Sequence, residues 1–179
     1  MKNDMESILL DKSQIECRVS ELGKTISRDF AGKNPLLLCV LKGSFVFMSD
    51  LLRNLTIPCA VDFMAISSYG NKSVTTGAAK IYLDLNTDVE NRHLIIVEDI
   101  LDSGLTLTYL LNNMSNRNPA STTIVTLLDK PSRRQAPITA NYVGFEIPDA
   151  FVVGYGLDYA EKYRNLPYIG ILKPEVYND

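Results

Sequence analysis

One histidine and three cysteines are all that this 179-residue chain offers in the nitrogen and thiolate ligands of a zinc site. Cys17, Cys39 and Cys59 are odd in number and widely spaced, with no pair at metal-ligand spacing, and His93 cannot complete a zinc site alone. Buried free thiols in a reducing compartment are expected, not a disulfide framework. His93 itself precedes an apolar run and reads as structural. An excess of positive charge is also missing: 18 Lys and Arg against 21 Asp and Glu give a formal net charge of -3, which leaves no electrostatic footprint for nucleic acid or an anionic membrane. No apolar run approaches the ~20 residues of a membrane span. The opening MKNDMES lacks the apolar centre of a secretion signal, so a cytoplasmic protein is expected. Internal repeats, low-complexity tracts, linkers and the Gly-Lys-Thr of a Walker phosphate loop are absent too. What is present is ordinary globular composition, 46% hydrophobic and 22% charged, in a length that suits a single domain spanning 1–179.

Along the chain, Ser13 and Glu16 match a capping box, and Ile15, Val19, Leu22, Ile26 and Phe30 recur at helical spacing toward Gly32. The run 35–41 is continuously apolar, as in a strand buried on both faces. It breaks at Lys42-Gly43-Ser44, and 45–55 reads as a helix capped by Ser44. Strands are expected over 59–66, 81–85, 94–97 and 122–128, a helix over 106–115, and further short strands beyond Ala150. Residues 67–80 (SSYGNKSVTTGAAK) are polar and aperiodic, long for a connection within one domain, and so read as a functional lid or a disordered loop. Apolar strands alternating with helices predict an α/β fold: an open parallel sheet flanked by helices, with ligands beyond the strands' carboxyl ends.

At one such end stands LIIVEDILDSGLT, residues 94–106. An apolar strand delivers Glu98, Asp99 and Asp102, and a Ser-Gly-x-Thr turn then opens a helix. Backbone N–H groups of such a turn form an anion site, to which Ser103 and Thr106 add hydroxyls, while Gly104 permits close approach to the backbone. Carboxylates beside an anion site make sense when the ligand also carries hydroxyls or Mg2+. The plainer alternative is a solvated acidic turn capping a helix.

The run 94–106 resembles the phosphoribosyl pyrophosphate (PRPP) signature of the type I phosphoribosyltransferases, which share an open parallel sheet and a smaller hood. Other segments resemble the hypoxanthine-guanine phosphoribosyltransferases, in the same order: VLKGS at 40–44, SYG at 68–70, LDKPSRR at 128–134 and IPDAFVVGYGLDY at 147–159. The resemblance covers 35–171. It implies a hood built from the N-terminal segment and the region from about 150. It further implies that Glu98 and Asp99 hold the ribose hydroxyls, that Asp102, Ser103, Gly104, Leu105 and Thr106 cradle the 5'-phosphate, and that Lys42, Gly43, Ser68, Tyr69 and Arg164 meet the pyrophosphate. The Leu41–Lys42 bond is expected to be cis. Lys130 would donate to a 6-oxo group, Phe151 stack on the base, Val152 read its edge, and Asp158 anchor purine and Mg2+. The metal ligands would be Glu98, Asp99 and Asp158. Arg134 matches a phosphate-contacting arginine, with Arg133 beside it leaving the register open.

The implied reaction joins PRPP to hypoxanthine or guanine, giving IMP or GMP and pyrophosphate, as in purine salvage. Mg2+ would be the cofactor and Asp102 the general base toward purine N7. Two features depart from the family pattern: Ser103 stands where many relatives have Thr, and Leu105 replaces a basic residue. A xanthine-preferring enzyme and a PRPP-sensing regulator on the same fold stay open as alternatives. Neither nucleic acid nor membrane is an expected partner, and assembly into a homodimer or homotetramer is implied by resemblance.

Overall fold

The computed structural model describes residues 1–67 and 80–177. In chain order the elements are β1 (Met5–Leu10), α1 (Lys12–Asp29), β2 (Leu36–Leu41), α2 (Phe45–Asn54), β3 (Ala60–Ser67), β4 (Lys80–Leu83), β5 (His93–Leu101), α3 (Leu105–Ser115), β6 (Ser121–Asp129), β7 (Tyr142–Glu146), β8 (Val152–Val153), β9 (Ile169–Leu172) and α4 (Pro174–Tyr177). The expected α/β architecture is present: a six-stranded sheet in the order β4-β3-β2-β5-β6-β7, parallel throughout except at edge strand β4.

Strand β2 has no polar face because both its faces are covered. Leu37 and Cys39 join Ile95 and Val97 in a core with Ile15, Val19, Leu22, Phe47 and Leu51 of the first two helices. Leu36, Leu38 and Val40 join Leu94 and Ile96 in a second core, closed by Leu107, Leu110 and Met114 of α3. Chain order reverses direction between β2 and β5, and in open α/β sheets the crevice above such a switch point takes the ligand. A separate sheet, β1-β9-β8, is antiparallel and joins the two ends of the described chain. Strand β1 has no counterpart in the sequence reading, since MESILL carries little alternation.

Several local expectations need correction. The capping box of α1 is Asp11 with Gln14, each side chain bonding the other's backbone N–H at 2.9 Å, and not Ser13 with Glu16. The same i, i+3 pattern simply occurs two residues earlier. Ser44 stands at the N-cap of α2 but makes no cap bond: its buried hydroxyl turns back to the Val40 carbonyl (2.5 Å) and the Cys39 thiol (3.2 Å). Of the cysteines only Cys39 is fully buried, and burial pushes its thiol up to about 11; Cys17 is exposed on α1. His93 is structural as read: Nδ1 meets Ser121 Oγ at 2.7 Å and the ring packs edge-on to Phe30. No helix among the described residues is long and apolar enough to cross a membrane.

Candidate active site

Strand β5 runs four residues beyond the expected 94–97, so Glu98 and Asp99 lie within the ladder and not past its end. Glu98 pairs in register with Thr126 of β6. Burial, reinforced by Asp99 next door, holds the Glu98 carboxyl well above the ordinary glutamate range. Burial likewise lifts Asp99 to about 6, opposed by backbone hydrogen bonds and the distant Arg164 charge. Two acids this desolvated, consecutive within one strand, mark a candidate site for a cation or for hydroxyl donors.

Beside them, the cis bond Leu41–Lys42 ends β2. Gly43 is required here: a β-carbon would overlap the Asp99 carboxylate. Gly156 (φ 103°) packs next in the stack, where a β-carbon would overlap the Gly43 carbonyl. Above this floor Arg164 pairs with Asp158 at 2.9 Å and donates to the Gly156 carbonyl at 2.8 Å. Glu161, reached through left-handed backbone at Ala160 and Glu161 (φ 50° and 60°), sits between Lys42 (3.2 Å) and Arg164 (3.5 Å). Lys42, Gly43, Asp158, Glu161 and Arg164, with Asp99, line a cavity of about 500 Å3 with two cationic side chains, bounded also by Ile66, Tyr82 and Leu157.

On the other side of Leu157 lies a second cavity of about 480 Å3, lined by Ile100, Asp102, Lys130, Arg133, Asp149, Ala150, Phe151, Val152, Leu157 and Tyr177. Lys130 is buried (6% exposed), and its ammonium donates to the Ala150 carbonyl at 2.8 Å, with Asp149 at 3.9 Å. Phe151 is partly exposed, stacks on Tyr177 (4.7 Å, 18°) and meets Tyr159 edge-on. Oδ1 of Asp102 is buried without a hydrogen-bond partner; Arg133 Nε stands 3.7 Å away. Lys130, Phe151, Val152 and Asp102 therefore share one cavity. Asp158, grouped with them in the sequence reading, lines the other one with Lys42 and Arg164.

The turn 102–104 opens α3 one residue earlier than read, with Gly104 at φ 80° as its first flanking residue. The space a Gly104 β-carbon would need is taken by Ile138 Cγ2 (2.5 Å) and Arg134 Cδ (3.2 Å). So Gly104 is demanded by packing from below as well as by its backbone angle. Ser103 Oγ accepts from the Leu105 N–H at 3.4 Å, and Leu105 is exposed. Thr106 is half-buried in the first turn of α3. Arg134, expected at a phosphate, instead turns into the protein: it donates to the carbonyls of Leu101, Asp102 and Ile138 and pairs with Asp129. Ser68 and Tyr69 lie outside the described residues.

Tyr177, Ile100, Leu157 and Asp149 line the second cavity yet escaped the sequence reading. Ile100 and Leu157 are apolar residues inside motifs already noted, and only their direction distinguishes them. Tyr177 is separated by 26 positions from the Phe151 it stacks on, and nothing local marks it.

For a divalent cation, no group of three or more Asp, Glu, His or Cys among the described residues could hold one unaided. Glu98, buried, and Asp99, half-buried, have no ion pair among the described residues and suit Mg2+, which is commonly bound by one or two carboxylates together with substrate phosphates.

With this geometry established, the phosphoribosyl transferase domain family matches residues 6–160, and the chain belongs to that family. Its relatives are more specific. It is 54% identical over 177 residues to the hypoxanthine-guanine phosphoribosyltransferase of Bacillus subtilis (strain 168), covering 99% of this chain and 98% of that one. It is 51% identical to the bifunctional protein TilS/HprT of Listeria innocua, matching 100% of this chain but 28% of that longer protein. A hypoxanthine phosphoribosyltransferase from Staphylococcus aureus superposes with a TM-score of 0.96 at 49% identity, covering 100% of this chain and 97% of the other.

Proposed function

We propose that the protein transfers the 5-phosphoribosyl group of PRPP to N9 of a 6-oxopurine, hypoxanthine or guanine, releasing pyrophosphate and IMP or GMP in purine salvage. The observation that carries this reading is a pair of cavities that share Leu157, one cation-lined with Asp99 in its wall, the other lined by Lys130, Phe151 and Asp102. An electrophile with an anionic leaving group belongs in the first, a flat base in the second, and the anomeric carbon between them.

In this reading Lys130 donates to the purine 6-oxo group, which disfavours adenine because its 6-amino group cannot accept there. Phe151 stacks on the ring, and the backbone of Val152 reads the edge. Oδ1 of Asp102, which has no hydrogen-bond partner and only a 3.7 Å ion pair with Arg133, receives the N7 proton as N9 bonds to the anomeric carbon and the carbon–pyrophosphate bond breaks. Lys42 and Arg164 stabilise the departing charge once Glu161 is displaced from between them. Glu98 and Asp99 hold the ribose hydroxyls directly or through Mg2+, with Asp158 as a further metal-side carboxylate. Bound there, Mg2+ would neutralise the pyrophosphate and favour its departure. The sheet β1-β9-β8 corresponds to the hood over this site. Assembly into a homodimer or homotetramer, and residence in the cytoplasm, belong to the same proposal.

The test is a spectrophotometric assay with PRPP and each of hypoxanthine, guanine, xanthine and adenine, with Mg2+ present and then chelated. Mg2+-dependent turnover of hypoxanthine or guanine with little on adenine is expected. PRPP binding without turnover of any base would overturn the reading in favour of a sensor, and light scattering reports the assembly.

A further inference from the structure

Arg134 is far from ordinary surface arginine behaviour. Its side chain is 16% exposed. Nε donates to the Asp102 carbonyl (2.9 Å), Nη2 to the Leu101 carbonyl (3.2 Å) and to the Asp129 carboxylate, and Nη1 to the Ile138 carbonyl (2.5 Å). The residues that follow continue the grip: the N–H groups of Gln135 and Ala136 both donate to the Ser103 carbonyl, at 2.9 and 3.1 Å. Three successive carbonyls are thus engaged on one side of the turn: Asp102 and Ser103 by the segment 134–136, and Leu101 by Arg134 together with the Lys130 N–H at 3.0 Å.

The consequence follows from peptide geometry. In a planar trans peptide the C=O and the next N–H point in opposite directions. Fixing those three carbonyls toward Arg134 therefore turns the N–H groups of Asp102, Ser103 and Gly104 away from it, all to the opposite side. Three successive N–H groups facing one way make an anion-binding concavity. Without the clamp, a carbonyl rotating toward that concavity would bring a negative dipole to a bound phosphate. The same clamp fixes the main chain of Asp102. Asp129 occupies part of the guanidinium and offsets its charge, and the Arg134 side chain borders the space that a β-carbon on Gly104 would need, on the underside of the turn.

We infer that Arg134, seated on Asp129, is a positioning residue for the phosphate cradle and for Asp102, and that it does not contact the phosphate. The inference rests on the proposed phosphoribosyl transfer. It differs in sign from direct contact, because releasing a phosphate-binding arginine from its counter-carboxylate would strengthen phosphate binding, whereas unseating a clamp weakens it.

The experiment compares wild type with Arg134→Lys, Arg134→Ala and Asp129→Asn, using PRPP binding by calorimetry and steady-state kcat and KM at temperatures where melting curves show each variant folded. Wild type is measured first: absence of PRPP binding and turnover there would sink the proposed function, not the role of Arg134. With an active wild type, Asp129→Asn and Arg134→Lys should each weaken PRPP binding by roughly 10- to 100-fold, the range for hydrogen bonds to a charged group, and both should also lower kcat. Lysine keeps the charge but cannot span several carbonyls. Added guanidinium should partly restore kcat to Arg134→Ala, a recovery that a general loss of stability would not give. Tighter PRPP binding in Asp129→Asn, near wild-type kinetics in Arg134→Lys, or lowered melting temperatures with unchanged kcat/KM would each overturn the inference.

Discussion

Gly43 and Asp99 are packed so closely that a side chain on the first would occupy the space of the second's carboxylate. One is the second residue beyond a strand end and the other lies inside the adjacent parallel strand. Their contact joins the cationic cavity to the acidic pair.

Gly43→Ala should therefore act on function more than on stability. The overlapped atoms are the end of a movable side chain, so the fold can adjust by rotating Asp99, which then leaves its working position. A misplacement of about 1 Å in a site of this kind can cost on the order of 100-fold in rate. Steady-state kinetics should show a loss of that order in kcat/KM for PRPP, with a modest drop in melting temperature. Kinetics equal to wild type would mean that the position of Asp99 is unimportant.

Asp99 should make the ligand-free protein less stable as pH rises. The folded protein holds its proton up to about pH 6, whereas an ordinary aspartate gives it up near 3.8. The folded state thus binds more protons in that window, and stability is fully present in acid and lost as pH climbs through 6. Asp99→Asn, which cannot ionise, should raise the melting temperature at pH 7.5 and have much less effect at pH 4. An equal shift at both pH values would show that ionisation is not the cause.

Asp102→Asn should spare folding and PRPP affinity while lowering kcat by about 10^2- to 10^4-fold, the usual worth of general-base assistance. Calorimetry and single-turnover kinetics separate the two. Equal losses in binding and turnover would assign Asp102 to binding.

Lys130 is buried, and its ammonium already spends one bond on the Ala150 carbonyl. Lys130→Ala should raise the KM for hypoxanthine by roughly 10- to 100-fold, matching a lost charge-assisted bond, and leave the KM for PRPP little changed. A rise in the PRPP value instead would move Lys130 out of the purine site.

Much of this protein was written in local sequence. The continuously apolar 35–41 announced a strand buried on both faces, since only a doubly covered strand has no need of a polar side, and 94–97 announced a second apolar strand. The composite run 94–106 brought three carboxylates and an anion-binding turn into one short stretch, so its chemistry could be read before any contact was known. The choice of cap on α1 was not settled this way: Asp11 and Ser13 each have a suitable partner three residues on, and only geometry separates them.

Tertiary structure decided the rest, wherever a residue's partner is distant or is backbone. Asp158 lies in sequence just after Phe151 and Val152 of the Lys130 cavity, yet its pairing with Arg164 puts it in the cation-lined one. Tyr177 meets Phe151 only because the final segment returns alongside β8. Arg134 reads as a phosphate ligand by its motif, but its partners are carbonyls of Leu101 and Asp102, more than thirty residues earlier. Carbonyl groups carry no sequence signature, so what an arginine does with them is known only once the chain has folded.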